Sequence, residues 1–220
     1  MTHRTRIKIC GLTRPEDLQG AVAAGADAVG FVFYADSPRY IAPEAAAALI
    51  AAVPPFVTTT GLFVNATLDE VKRILAIAPV AMLQFHGDET AEQCAAIAAE
   101  MNRPFTRALR VKPEMHADDL LEYESEYRAA SPLFAGLLLD TFVDSYGGSG
   151  KVFDWSVIPA NLAPLVVLSG GLNAQNVTEA VTRVQPHAVD VSSGVEQGKG
   201  IKDVGKIRAF IEAVRKADAS

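Results

Sequence analysis

Two residues in this chain are placed where an acid and a base would be useful. Cys10 closes the alternating run Arg6-Ile7-Lys8-Ile9-Cys10, and Asp140 closes the apolar run Leu137-Leu138-Leu139. A period-2 strand puts Ile7 and Ile9 on one face and Arg6, Lys8 and Cys10 on the other. A free cysteine often serves only as a small buried hydrophobe, which is the reading that fits Cys94 within the pattern Ala91, Cys94, Ala95, Ala98. Cys10 differs because Lys8 shares its face, and a nearby cation favours thiolate. Asp140 is open to two readings, a turn or cap residue or a carboxyl group raised by apolar surroundings to act as a general acid.

Other strand ends carry His86 and Arg110, and two turns of small residues, Ser169-Gly170-Gly171 and Ser192-Ser193-Gly194. Backbone N–H groups in such turns can cradle a phosphate, and glycine lets the anion approach; the plainer alternative is a tight turn. Arg39 follows Pro38 in the segment Phe33–Tyr40, either as an ordinary solvated arginine or as a fork for a carboxylate. Tyr146-Gly147-Gly148-Ser149-Gly150-Lys151 resembles a P-loop only faintly. That pattern needs Gly at 145 and Ser or Thr at 152, where this chain has Ser145 and Val152, so a lid-like loop is expected instead.

The elements that must position these groups repeat one unit, a short apolar run, a turn and an amphipathic helix. Strand ends are expected near Cys10, Phe33, Val64, His86, Arg110, Asp140, Gly170 and Gly194, at the spacing of minimal βα units. Capping boxes are expected at Thr13/Glu16 and Thr67/Glu70, caps at Asn173 and Asp203, a helix start at Pro43 and a stop at Gly25. The sixth unit, Phe153–Val157, has room only for a short helix before Pro159. Eight such units without a linker predict an α/β fold, a single (β/α)8 TIM barrel spanning 1–220, in preference to an open doubly wound sheet.

Composition narrows the function. Half of the 220 residues are hydrophobic and the net charge is −6, which gives no long-range attraction to nucleic acid or an anionic membrane. No apolar run is long enough to span a bilayer and no leader pattern is visible, so a cytoplasmic protein is expected. Two cysteines without paired spacing suggest neither a disulfide framework nor a zinc site, and no His/Asp/Glu cluster is visible to hold another metal.

In order along the chain, Lys8-Ile9-Cys10-Gly11-Leu12-Thr13, Gly25–Phe33, Ser37-Pro38-Arg39-Tyr40, Gln84-Phe85-His86-Gly87, Leu139-Asp140, Tyr146–Gly150, Phe153-Asp154-Trp155, Leu168–Leu172 and Asp190–Glu196 resemble the phosphoribosylanthranilate isomerases of tryptophan biosynthesis. The resemblance implies a cofactor-independent Amadori rearrangement with Cys10 as general base and Asp140 as general acid. It also implies Arg39 on the anthranilate carboxylate, a substrate contact at His86, and phosphate at Gly170, Gly171, Ser193 and Gly194. The partner implied is a small phosphorylated substrate, and the chain a monomer or homodimer. A non-catalytic sugar-phosphate barrel, or another sugar-phosphate barrel enzyme, is the alternative. Barrel closure makes the strand carrying Asp190 the neighbour of the first, so a Lys8–Asp190 contact beneath the thiol is expected.

Overall fold

The computed structural model describes residues 4–141 and 152–219. Eight parallel strands close into a barrel in chain order. They are β1 (Arg6–Cys10), β2 (Ala28–Val32), β3 (Thr58–Phe63), β4 (Met82–Phe85), β5 (Phe105–Val111), β6 (Phe134–Thr141), β7 (Val167–Leu168) and β8 (Ala188–Val191). Closure runs through β1 and β8, where Lys8 lies opposite Asp190.

The strands follow the alternation required of a sheet with helices outside. Ile7, Ile9, Val29, Phe31, Leu83, Phe85, Val189 and Val191 are buried and apolar, forming the wall on which the helices pack. The opposite face carries a polar layer, with Lys8, Thr60, Gln84, Thr106 and Asp190 all buried. A polar layer costs free energy unless its members bond one another, and how Lys8, Gln84 and Asp190 do so defines the floor of the active site.

Seven α-helices surround the barrel among the described residues: α1 (Pro15–Ala24), α2 (Pro43–Ala51), α3 (Leu68–Ile77), α4 (Ala91–Met101), α5 (Ala117–Ala130), α6 (Val177–Val184) and α7 (Val204–Asp218). The short helix expected in the sixth unit is a 3-10 turn, Trp155–Val157, and a second such turn, Ala163–Leu165, follows it. Pro159 and Pro164 lie in that stretch, and proline blocks helix propagation. α7 docks Ile207, Phe210, Ile211 and Val214 against the barrel, each side chain contributing about 1.5–3 kcal/mol on burial.

The Thr67/Glu70 box, the Asp203 cap, the Pro43 start and the Gly25 stop occur as expected. Two caps do not. Pro15 sets the start of α1 after Arg14, and the Thr13 hydroxyl instead donates to the Gly200 carbonyl at 2.9 Å. Asn173 closes a separate turn, its Oδ1 accepting the Gln175 N–H at 2.9 Å, and α6 begins only at Val177. Strands 7 and 8 also stop short of Gly170 and Gly194, at Leu168 and Val191. Gly170 and Gly171 take φ of 79° and 68°, outside any strand conformation. Beyond β8 a two-stranded antiparallel hairpin, β9 (Glu196–Gly198) with β10 (Ile201–Lys202), docks at the start of α1, where the Lys202 N–H donates to Asp17 Oδ2 at 3.1 Å. The loop expected over 146–151 lies outside the described residues.

Candidate active site

At the carboxyl end of the barrel, one open pocket is lined by Cys10, Arg39, His86, Asp140, Gly170, Gly171 and Ser193. Its volume, counting the open mouth, is about 800 Å³, within the range of small-molecule sites. The pocket joins residues far apart in sequence because each stands at the end of its own strand.

On the β1/β8 wall the expected pair is present, with Lys8 Nζ 2.9 Å from Asp190 Oδ1 and both side chains nearly excluded from solvent. Burial pulls the Lys8 ammonium down, yet Asp190 and Cys10 outweigh it and the group is held above its ordinary value. For Cys10 the balance goes the other way. Burial pushes the thiol up, Lys8 and then Lys202 pull it down, and Asp190 adds to the rise, so the net direction is upward. Desolvation thus outweighs the attraction of Lys8 that the sequence suggested, and burial favours the neutral thiol. Gly30 on β2 makes room for this arrangement: a Cβ there would lie 2.8 Å from Cys10 Sγ and 3.1 Å from Lys8 Cε.

On the opposite wall Asp140 Oδ2 lies 3.1 Å from His86 Nε2, and Oδ1 accepts the Thr141 N–H at 2.8 Å. Its neighbours are thus an imidazole and a backbone donor, where apolar walls were anticipated. Arg110, the register partner of Asp140 on β5, turns to Asp88.

Arg39 is largely buried and already engaged. Its Nε and Nη2 donate to the two Glu196 oxygens at 2.7 and 2.9 Å. Lys202, fully buried, donates to the same Glu196 at 2.8 Å and to the Ser192 hydroxyl and carbonyl at 3.1 and 3.2 Å. Burial raises the Glu196 carboxyl, but Arg39 and Lys202 more than offset it and hold it below its ordinary value. The edge of Arg39 expected to grip a substrate carboxylate is thus occupied by Glu196. Two cations share one carboxylate, which leaves one positive charge over at this side of the pocket.

The two small-residue turns, expected to hold a phosphate, converge on the pocket, with one difference. Ser169, Gly170, Gly171, Ser192 and Ser193 line the pocket, whereas Gly194 sits behind it. A Cβ on Gly194 would fall 1.9 Å from the Leu172 carbonyl oxygen, so this glycine is a packing requirement between the two turns.

A family model described as N-(5′-phosphoribosyl)anthranilate isomerase matches residues 7–213. The Herminiimonas arsenicoxydans protein named N-(5′-phosphoribosyl)anthranilate isomerase is 74% identical over 220 residues, covering 100% of this chain and 97% of the relative. The chain belongs to the phosphoribosylanthranilate isomerase family. The crystal structure of the Thermotoga maritima phosphoribosylanthranilate isomerase superposes with a TM-score of 0.85 at 42% identity, over 96% of this chain and 99% of that one. A second isomerase structure, in complex with reduced 1-(o-carboxyphenylamino)-1-deoxyribulose 5-phosphate, gives a TM-score of 0.78 at 37% identity over 96% and 99%. The chain is accordingly a TIM-barrel isomerase of tryptophan biosynthesis.

Cys10, Arg39, His86, Asp140 and the two turns were legible as pocket residues and Lys8–Asp190 as a pair beneath Cys10, whereas the partners of Arg39 and His86 were not. Gln84, Glu196 and Lys202 received no role. A signal for Gln84 was available, since it shares the inward alternation of β4 with His86 two residues on. For Lys202 there was none, because the β9–β10 hairpin that returns it beneath the pocket has no pattern of its own.

Proposed function

We propose that the chain converts N-(5′-phosphoribosyl)anthranilate to 1-(2-carboxyphenylamino)-1-deoxyribulose 5-phosphate, with Asp140 as general acid and Cys10 as general base. The observation that carries this reading is the placement of one carboxyl and one thiol on opposite walls of a single pocket. Asp140 gives its proton to the ribose ring oxygen while the C1–O bond breaks towards that oxygen and the anthranilate nitrogen forms a cationic C1=N imine. Only then is the C2 proton acidic. Cys10 takes it as thiolate, the electron pair forms the C1=C2 enolamine, and transfer of the C2 hydroxyl proton to C1 yields the ketone.

To act as base, Cys10 first releases its thiol proton to solvent, and the substrate itself favours that ionisation. The imine places a new cation beside Cys10, adding to the pull of Lys8 and Lys202 against desolvation. The Gly170-Gly171 and Ser192-Ser193 turns receive the phosphate through backbone N–H groups, with Gly194 shaping the second turn. His86 meets the substrate beside Asp140. Arg39 faces the anthranilate carboxylate with Nη1, its other edge being held by Glu196, and the surplus charge of the Arg39–Glu196–Lys202 cluster favours an anion there. Residence in the cytoplasm belongs to the same reading; no helix among the described residues is long and apolar enough to cross a membrane.

Following consumption of the fluorescent anthranilate substrate tests the assignment. Cys10→Ala and Asp140→Asn are each expected to lower kcat by about 10²-fold or more while the chain stays folded. Near-normal turnover by either folded variant would remove that residue from the chemistry. Arg39→Met is expected to raise KM by about tenfold, more than it lowers kcat, because a carboxylate contact is shared by ground and transition states. A collapse of kcat at unchanged KM would mean that Arg39 acts in the chemical step instead.

A further inference from the structure

A continuous line of hydrogen bonds runs beneath the pocket from one wall to the other. Asp190 Oδ1 and Gln84 Oε1 each accept from Lys8 Nζ at 2.9 Å, Gln84 Nε2 lies 3.0 Å from His86 Nδ1, and His86 Nε2 lies 3.1 Å from Asp140 Oδ2. Gln84 is 1% exposed and is held at mid-barrel between Leu62 on β3 and Thr106 on β5.

The chemistry of the end groups fixes the direction of every bond in this line. An ammonium only donates, so the Gln84 oxygen must face Lys8. The Gln84 amide nitrogen, which also only donates, must then face His86. Nδ1 has to present its lone pair, and the imidazole proton sits on Nε2, aimed at Asp140. We propose that Gln84 is a positioning residue for the proton transfer: oriented by Lys8, it holds His86 as the neutral Nε2–H tautomer and so reserves the ionisable proton of the His86–Asp140 pair for Asp140. The proposal rests on the reading of Asp140 as the acid.

When this pair takes up one proton, there are two places for it. On Nδ1 it would set two N–H groups face to face across 3.0 Å, break the bond to Gln84 and create an imidazolium in line with the Lys8 ammonium. On Asp140 it costs none of the bonds in the line, since His86 and the Thr141 N–H each still have a carboxyl oxygen to donate to. The acid thereby keeps a proton to give to the ring oxygen. Among the described residues, the other titratable or charged groups facing the pair are Cys10, Arg39 and Asp190 in the same pocket, Lys8, which is paired with Asp190, and Arg110 on β5, which is turned to Asp88.

The test is nitrogen-15 imidazole NMR on the full chain, with the His86 signals assigned among the four histidines by a His86→Gln variant. In the unaltered chain at neutral pH, His86 is expected to show a protonated Nε2 and an unprotonated Nδ1. Gln84→Glu replaces the donor with an acceptor, so Nδ1 should gain a proton and kcat should fall at least about tenfold, with KM moving much less. Gln84→Met, which keeps the volume, should leave a mixture of tautomers and a smaller fall in kcat, and it serves if the glutamate variant does not fold. A protonated Nδ1 in the unaltered chain, or unchanged kcat in folded Gln84 variants, overturns the proposal. The tautomer is read without turnover, so full activity in Asp140→Asn would overturn the acid assignment separately.

Discussion

On the β1/β8 wall, Cys10 stands above a buried Lys8–Asp190 ion pair and near buried Lys202, whereas on the β4/β6 wall Asp140 meets an imidazole and a backbone N–H at the edge of the open pocket. Fixed charges shift a thiol even through several ångströms of low-dielectric interior, and they bring a desolvation cost that must be offset by pairing. Hydrogen bonds act only at contact, but they choose which atom carries a proton. The Cys10 wall is thus governed by charge balance and the Asp140 wall by the direction of donors, and Gln84 is the residue that touches both.

The largest expected effect comes from breaking the charge balance. Removing one member of a buried pair typically costs about 3–5 kcal/mol, because the other is left charged and unpaired. Asp190→Ala should therefore lose about that much stability in denaturant unfolding. Lys8→Met also leaves a buried charge, on Asp190, but should lose less, since the methionine fills the space apolarly and Asp190 keeps a weak bond from the Ser169 hydroxyl at 3.4 Å. Equal losses would mean that the interior is better solvated than its burial indicates.

How far the sequence disclosed these two walls depended on the range of the interactions that build them. The alternation in Arg6–Cys10 and the barrel closure were enough to place Lys8 against Asp190, because strand register carries one residue's orientation to its neighbour. Gln84 escaped because its role depends on donor and acceptor directions set by Lys8 and His86, which no periodicity encodes. Arg39 was located correctly but given an open fork, since Glu196 lies 157 residues away and reaches it only through the hairpin. The short helix of the sixth unit was legible because Pro159 leaves no room for more, whereas Thr13 was read as a cap although Pro15 sets the start of α1 one residue later.

A smaller and more specific effect concerns the thiol. Burial places the Cys10 thiol above its ordinary value, so in the empty enzyme it should alkylate slowly at neutral pH and faster as the pH rises past 9. Cys94, pushed up to about 12 by burial, should stay inert across the same range. Because Lys8 pulls the thiol down, Lys8→Met should move the Cys10 profile to still higher pH, by an amount read from iodoacetamide rates with mass-spectrometric assignment of the site. A profile unchanged by Lys8→Met would show that the charge balance of this wall does not reach the sulfur.

The smallest effect belongs to the hairpin that joins the two descriptions, where a charge cluster also fixes a donor edge. Glu196→Gln keeps the shape of the acceptor but removes the charge shared by Arg39 and Lys202, and at neutral pH it should cost about 2 kcal/mol, the scale of hydrogen bonds to charged groups. The pH dependence follows from the sign of the shift. The folded state holds the Glu196 carboxyl below its usual value of 4.5, so its contribution is fully present above that value and is lost as pH falls through the lower folded value. The glutamine variant lacks that contribution at every pH. The gap in stability between the two chains should therefore be constant from about pH 6 to 8 and close progressively below 4.5, as followed by urea unfolding at each pH. A gap that stays open in acid would mean that the loss comes from packing of the hairpin, and that Arg39 is held by shape and not by the Glu196 charge.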